Sequence, residues 1–258
     1  MTHRTDWVGM SARSERLVLL QDTGSVLDGA ESFVRTYPEL AVAVAFAAVS
    51  LVGGAYALLR FKRPLGTRFL EALASRDEIV VLMHPNPDPD AMAAAIGVAC
   101  LARQVDTAAT LQYTGQIRHQ ENRAFRTVLD LDMDPIEHVS ELAAEAVVLV
   151  DHNEPRGFAG AEGVLPFAVV DHHPGNGTGE AFTDVRTGYG SCSSIVAEYF
   201  RDVGATPVPP EMHASEVGAE YTLPSEVSTG LLYGILTDTS RLTAGCSAAD
   251  FSAAGYLY

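Results

Sequence analysis

Four short groups of carboxylates and imidazoles, each placed directly after an apolar run, are the part of this chain that could do chemistry. His84, Asp88 and Asp90 follow the run 79–83, Asp151 follows 147–150, Asp171-His172-His173 follows 167–170, and Asp238 follows 231–236. A lone His or Asp in such a place is ordinarily a cap or a solvated loop residue. Four groups in series are different, because the carboxyl ends of successive parallel strands would deliver them all to one rim, where open α/β sheets place their ligands. Oxygen and imidazole donors converging in that number suit two divalent cations held close together, an arrangement that polarises phosphoryl oxygens and activates water for in-line attack. The first group is interrupted by Pro85, Pro87 and Pro89. Their fixed φ values stiffen the segment, so Asp88 and Asp90 can be aimed at two different ions.

In this order and spacing the groups resemble the DHH phosphoesterases, a family that includes RecJ-like exonucleases, nanoRNA and cyclic-dinucleotide phosphodiesterases, and family II inorganic pyrophosphatases. The resemblance runs from 78 to 258: His84, Asp88 and Asp90 as HxxxDxD, then Asp151, then Asp171-His172-His173, then Asp238. It implies that His84, Asp88 and Asp151 hold a first metal ion, that Asp90, Asp151, His172 and Asp238 hold a second, and that Asp151 is the bridge between them. The catalytic set would be Asp151, His173 and Asp171, with His173 contacting the phosphate or assisting the leaving group and Asp171 orienting the imidazoles. Mixed carboxylate and imidazole ligation favours manganese, with magnesium and cobalt as compatible alternatives. For substrate binding, Ser191 and Ser193 lie at a helix start that could hold a phosphate or serve simply as an N-cap. His119, just before another helix, resembles a segment near the active site of some family members.

The elements that must position these groups alternate. Strands are expected at 78–83, 109–113, 146–150 and 167–170, and helices at 91–104, 120–129, 191–201 and 225–235, with a loop at 133–138 and a linker over 207–223. The fold class is therefore α/β, a mainly parallel sheet flanked by helices with right-handed crossovers. Ahead of it, residues 40–59 contain no charged side chain over twenty positions, and Arg60, Lys62, Arg63 and Arg68 follow. Twenty helical residues reach across about 30 Å of hydrocarbon. The expectation is a single transmembrane helix at 40–59, residues 1–39 outside, a juxtamembrane linker at 60–77 in which 64–76 is a short linker or a juxtamembrane helix, and the domain 78–258 in the cytoplasm, hence a single-pass protein of the cell membrane. A short amphipathic segment is expected near 17–27.

The formal net charge is -16 and Lys62 is the only lysine. Such an acidic surface suits a protein kept soluble in high salt. It disfavours long duplex DNA, whose phosphates need clustered Lys and Arg, and leaves short substrates gripped by metals. Cys100, Cys192 and Cys246 form no CxxC pair, so neither a zinc site nor a disulfide framework is indicated. The functional expectation is a membrane-anchored, two-metal phosphodiesterase for short nucleotides (linear dinucleotides, nanoRNA or cyclic di-AMP), and a homodimer is compatible with it. A pyrophosphatase or exopolyphosphatase is the alternative within enzymes. Family members usually continue into a smaller substrate domain, whereas this sequence stops 20 residues after Asp238. That leaves a third expectation, a fragment or a metal-binding regulatory module with weak turnover.

Overall fold

The computed structural model describes residues 31–61 and 63–258, with the side chains of 55–61 left aside. The amphipathic segment expected near 17–27 and most of the N-terminal segment lie outside the described residues. The chain divides into two compact units, one up to Lys62 and one from Arg63 to Tyr258.

In the first unit, α1 (Pro38–Phe61) is a helix of 24 residues. Among the described residues, no helix is both long and apolar enough to cross a membrane. This corrects the expected transmembrane span at 40–59, and with it the single-pass localisation. Lack of charge is a weaker property than apolarity: seven of those twenty residues are Ala and two are Gly, which contribute little transfer free energy.

The second unit is built on a six-stranded sheet, β1 (Glu78–Met83), β2 (Ala108–Thr114), β3 (Asp134–Ile136), β4 (Val147–Val150), β5 (Ala168–Asp171) and β6 (Phe182–Val185). Their order is β3-β2-β1-β4-β5-β6 and every neighbouring pair is parallel. Strands β4 and β5 are buried throughout, and β1 is buried after its first residue. Strands covered on both faces need continuous runs of Val, Ile and Leu, which is what these segments supply. On one face Ile79, Val81, Met83, Val148, Val150 and Val170 share a core with α2 (Leu65–Leu73), α3 (Pro89–Arg103), α5 (Cys192–Asp202) and α6 (Ser225–Asp238). On the other, Val80, Leu82, Val147, Leu149 and Val169 pack on Ile136, Phe158 and Ala161. Helix α4 (Gln120–Val128) follows β2, and α7 (Ala248–Leu257) ends the chain.

Several expectations are corrected in detail. The loop at 133–138 contains β3, and the linker at 207–223 pairs β7 (Thr206–Val208) with β8 (Thr222–Pro224), while the segment 64–76 takes the helical one of its two expected forms as α2. The functional consequence of the topology is simple. The sheet's order turns at β1, which has β2 on one side and β4 on the other, so the loops leaving β1 and β4 diverge to open a crevice at their carboxyl ends.

Candidate metal centre

That crevice is where the sequence groups meet. The loop after β1 carries His84, whose Nδ1 donates to the Pro85 carbonyl at 3.0 Å. Its Nε2 then points at Asp88 Oδ2 (3.5 Å) and Asp151 Oδ2 (3.3 Å). Asp88 is the N-cap of α3: its Oδ1 accepts from the Ala91 N–H at 3.0 Å, which leaves Oδ2 for the crevice. Asp90, fully buried in the first turn of α3, accepts from the N–H groups of Cys192 (2.7 Å) and Ser193 (2.8 Å) at the start of α5.

Asp151 follows β4 with φ +63, a left-handed conformation costly for a residue with a Cβ and concentrated at functional sites. Its N–H donates to the Val170 carbonyl at 3.0 Å, fixing the turn against β5. His172 donates from Nδ1 to the Tyr189 carbonyl at 3.2 Å. Its Nε2 faces Asp151 Oδ1 (3.2 Å), Asp238 Oδ2 (3.4 Å) and Asp90 Oδ2 (3.9 Å). Asp238 arrives as the last residue of helix α6, not from a strand end.

Three overlapping sets of three donors result, His84 with Asp88 and Asp151, Asp90 with His172 and Asp238, and Asp151 with His172 and His173. Asp151 belongs to the first and the third and also approaches the second, one oxygen turned to each of His84 and His172. Asp151 Oδ1 and His172 Nε2 are buried and lack a hydrogen-bond partner. With Nδ1 committed to a carbonyl, Nε2 is aimed at carboxylate oxygens, an arrangement that a proton relieves in the metal-free protein and that a cation, taking the Nε2 lone pair in place of that proton, resolves. The donor chemistry of the centre thus fits divalent metal ions.

A comparison with known families agrees with this geometry: residues 78–235 match the DHH family, N-terminal domain. The chain belongs to the DHH family. A protein of uncharacterised function from Methanocaldococcus jannaschii is 27% identical over 185 residues, covering 69% of this chain and 34% of that protein. A probable manganese-dependent inorganic pyrophosphatase of Streptococcus agalactiae is 30% identical over 175 residues, 64% of this chain and 49% of that one. One of the same description from Streptococcus mutans is 29% identical over 172 residues, again covering 64% and 49%. The chain therefore spans about half the length, or less, of these curated relatives. Among solved structures, an exopolyphosphatase-related protein of Bacteroides fragilis superposes with a TM-score of 0.50 at 15% identity, over 74% of this chain and 55% of that one. This last likeness concerns the fold alone.

The DHH triplet of this chain divides its work. Asp171, buried at the end of β5, accepts on Oδ1 from the His172 N–H (2.8 Å), the His173 N–H (3.1 Å) and His173 Nδ1 (2.9 Å). Its Oδ2 accepts from Asn153 Nδ2 at 2.6 Å. His173 is half exposed, and its hydrogen bond to Asp171 raises its pKa in spite of partial burial. Burial works against a charged His172, but the facing carboxylates of Asp151 and Asp238 prevail and, with no cation between them, push it up to about 11. The same opposition, with Asp151 and Asp88 as partners, pushes His84 up to about 10. Burial and the nearby Asp151 and Asp238 raise Asp90 well above the carboxylate range, whereas the facing imidazoles of His172 and His84 outweigh burial and hold Asp151 below it.

The remaining sequence candidates lie at the edges of this centre. Ser191 and Ser193 are fully buried; Ser191 caps α5 through the Ser194 N–H at 3.1 Å, and the anion held by this helix start is the Asp90 carboxylate. His119 is the exposed N-cap residue of α4 without a side-chain cap, next to Arg118, whose N–H donates to Asn86 Oδ1 at 2.7 Å. Sequence reasoning missed Asn153, whose only signal is its place two residues after Asp151. His152, between Asp151 and Asn153, is buried, donates Nδ1 to the Val150 carbonyl at 2.9 Å, and is pushed down to about 4 by burial.

Proposed function

We propose that this protein is a metal-dependent phosphohydrolase that uses two divalent ions, with manganese as the working metal and a small phosphoanhydride, inorganic pyrophosphate, as the first substrate to consider. The observation that carries this reading is the buried pair Asp151 Oδ1 and His172 Nε2, 3.2 Å apart and without a hydrogen-bond partner. Bound ions would supply Lewis acidity toward phosphoryl oxygens and lower the pKa of an attacking water. The chain's own contribution is positioning. Pro85 and Tyr189 fix the tautomers of His84 and His172 through their carbonyls, so each ring offers Nε2 to the crevice. His173 spends Nδ1 on Asp171 and keeps Nε2 for a phosphate oxygen or the leaving group.

The manganese preference is supported by the donor set and by the relatives described as manganese-dependent pyrophosphatases. Short nucleotides remain the competing substrates, favoured by the triplet's wider family resemblance. The net charge of -16 supports small substrates over long duplexes in either case.

The test is phosphate-bond hydrolysis by the full chain in molar salt with Mn2+, comparing pyrophosphate, pApA and cyclic di-AMP, with Asp151→Ala as control. Pyrophosphate turnover abolished by the substitution is expected. Turnover of a nucleotide alone would move the assignment to the phosphodiesterase branch, and Mn2+ binding without turnover of any of the three would leave a metal-binding module.

A further inference from the structure

The turn between β6 and α5 supports both protein-anchored members of the Asp238 side of the centre. Its Tyr189 carbonyl takes the Nδ1 proton of His172, and its Cys192 and Ser193 N–H groups hold the two oxygens of Asp90. On the other side His84 is held by Pro85 and Asp88 by Ala91, both within the β1–α3 segment, and that segment is braced not by the 190–194 turn but by Asn122, whose Nδ2 donates to the Pro87 carbonyl at 2.9 Å.

This turn is itself held from far along the chain. Asp250, fully buried on α7, accepts the Gly190 N–H on both oxygens (3.0 and 2.9 Å) and the Ser194 hydroxyl on Oδ1 at 2.6 Å. Its Oδ2 also accepts the Ser247 N–H (2.7 Å) and hydroxyl (2.9 Å). One carboxylate therefore gathers donors from two segments, with Gly190 and Ser194 bracketing the residues that touch Asp90. The approach is close enough that a Cβ on Gly190 would lie 2.5 Å from the Gly245 carbonyl oxygen.

We infer that Asp250 is a positioning residue for one half of the centre: by clamping the 190–194 turn it sets the geometry of Asp90 and His172, and so the affinity of the ion those residues share with Asp238. The inference rests on the two-ion reading above. It predicts an asymmetric effect, because neither His84 nor Asp88 takes a hydrogen bond from the turn. A cap that merely stabilised α7 would act on both halves alike.

The test is titration of the metal-free full chain with Mn2+, followed by electron paramagnetic resonance and calorimetry, for the wild type and Asp250→Asn, Ser194→Ala and Ser247→Ala. The substitution Asp250→Asn keeps the side chain's shape but sets an amide N–H against donors that now meet a carboxylate oxygen. Expected are two sites in the wild type, one of them weakened about 10–100-fold in Asp250→Asn, the usual effect of removing an outer support of a ligand, and the other unchanged. Ser194→Ala should weaken the same site less. Ser247→Ala removes the α7 cap and one hydroxyl donor to Asp250 Oδ2 but spares the Gly190 and Ser194 contacts with the turn, so it should lower the melting temperature and leave both affinities alone. Equal affinities in wild type and Asp250→Asn, or an equal loss at both sites, would overturn the inference while leaving two-ion binding intact. A wild type that binds fewer than two ions would overturn both. Should Asp250→Asn not fold, the Ser194→Ala and Ser247→Ala pair decides: unchanged affinities in Ser194→Ala refute the clamp.

Discussion

Each oxygen of Asp151 faces a different imidazole, 3.3 Å to His84 and 3.2 Å to His172, so in the metal-free protein protons occupy the place where cations would go. The sign follows from the two histidines. Their pKa values, about 10 and about 11, lie above the ordinary 6.5, so their stabilising charge is fully present below about 6.5 and is lost as pH rises toward 10. A metal ion must displace those protons. Mn2+ affinity should therefore rise between pH 6.5 and 8.5, by up to about tenfold per pH unit for each imidazole displaced. Titration calorimetry in buffers of different ionisation enthalpy measures the protons released; a flat affinity with no release would show that the rings are already neutral. The residue types of this centre were legible in the sequence because each follows an apolar run. The left-handed backbone of Asp151 and the carbonyl partners of His84 and His172 were not, since they depend on how the turns close.

At the scale of elements, legibility followed burial. Strands β1, β4 and β5 are doubly covered, and their continuous apolar runs announce them. By contrast β6 reads Phe-Thr-Asp-Val, four residues with one face exposed, and β3 contains Pro135, so neither carries a strong period. Asp238 follows an apolar run like the others, yet that run is the end of helix α6; a short apolar segment does not distinguish strand from helix. Helix α2 fills the segment expected as either a short linker or a helix, and its contact with α5 gives a prediction. A Cβ on Gly66 would lie 2.6 Å from the Tyr199 Cα and 2.7 Å from the Tyr199 carbonyl oxygen, backbone atoms that cannot rotate away. Gly66→Ala should destabilise the protein by about 1–3 kcal/mol through overpacking, lowering the melting temperature by about 2–4 °C per kcal/mol in a chain of this size. An unchanged melting temperature would mean that α2 shifts freely along α5. The clamp at Asp250 belongs to this scale too: Ser247 and Asp250 have capping-box spacing, but no local pattern reveals that the same carboxylate reaches Gly190, 60 residues away.

For the whole molecule the governing quantity is charge, 33 acidic against 17 basic residues. Uniform self-repulsion opposes compactness and weakens as salt shortens the screening length from about 30 Å at 0.01 M to about 3 Å at 1 M. The melting temperature of the metal-free chain should accordingly rise with KCl over that range. Two sources of repulsion could give the same rise, the acidic surface at large and the four carboxylates Asp88, Asp90, Asp151 and Asp238 gathered in one crevice. Loading with Mn2+ separates them, because cations neutralise the crevice and leave the surface as it was. If the surface dominates, as the excess of carboxylates over the whole chain argues, the loaded protein keeps the salt-dependent rise; if the rise vanishes on loading, the repulsion is that of the centre alone and the acidic surface is no adaptation to salt.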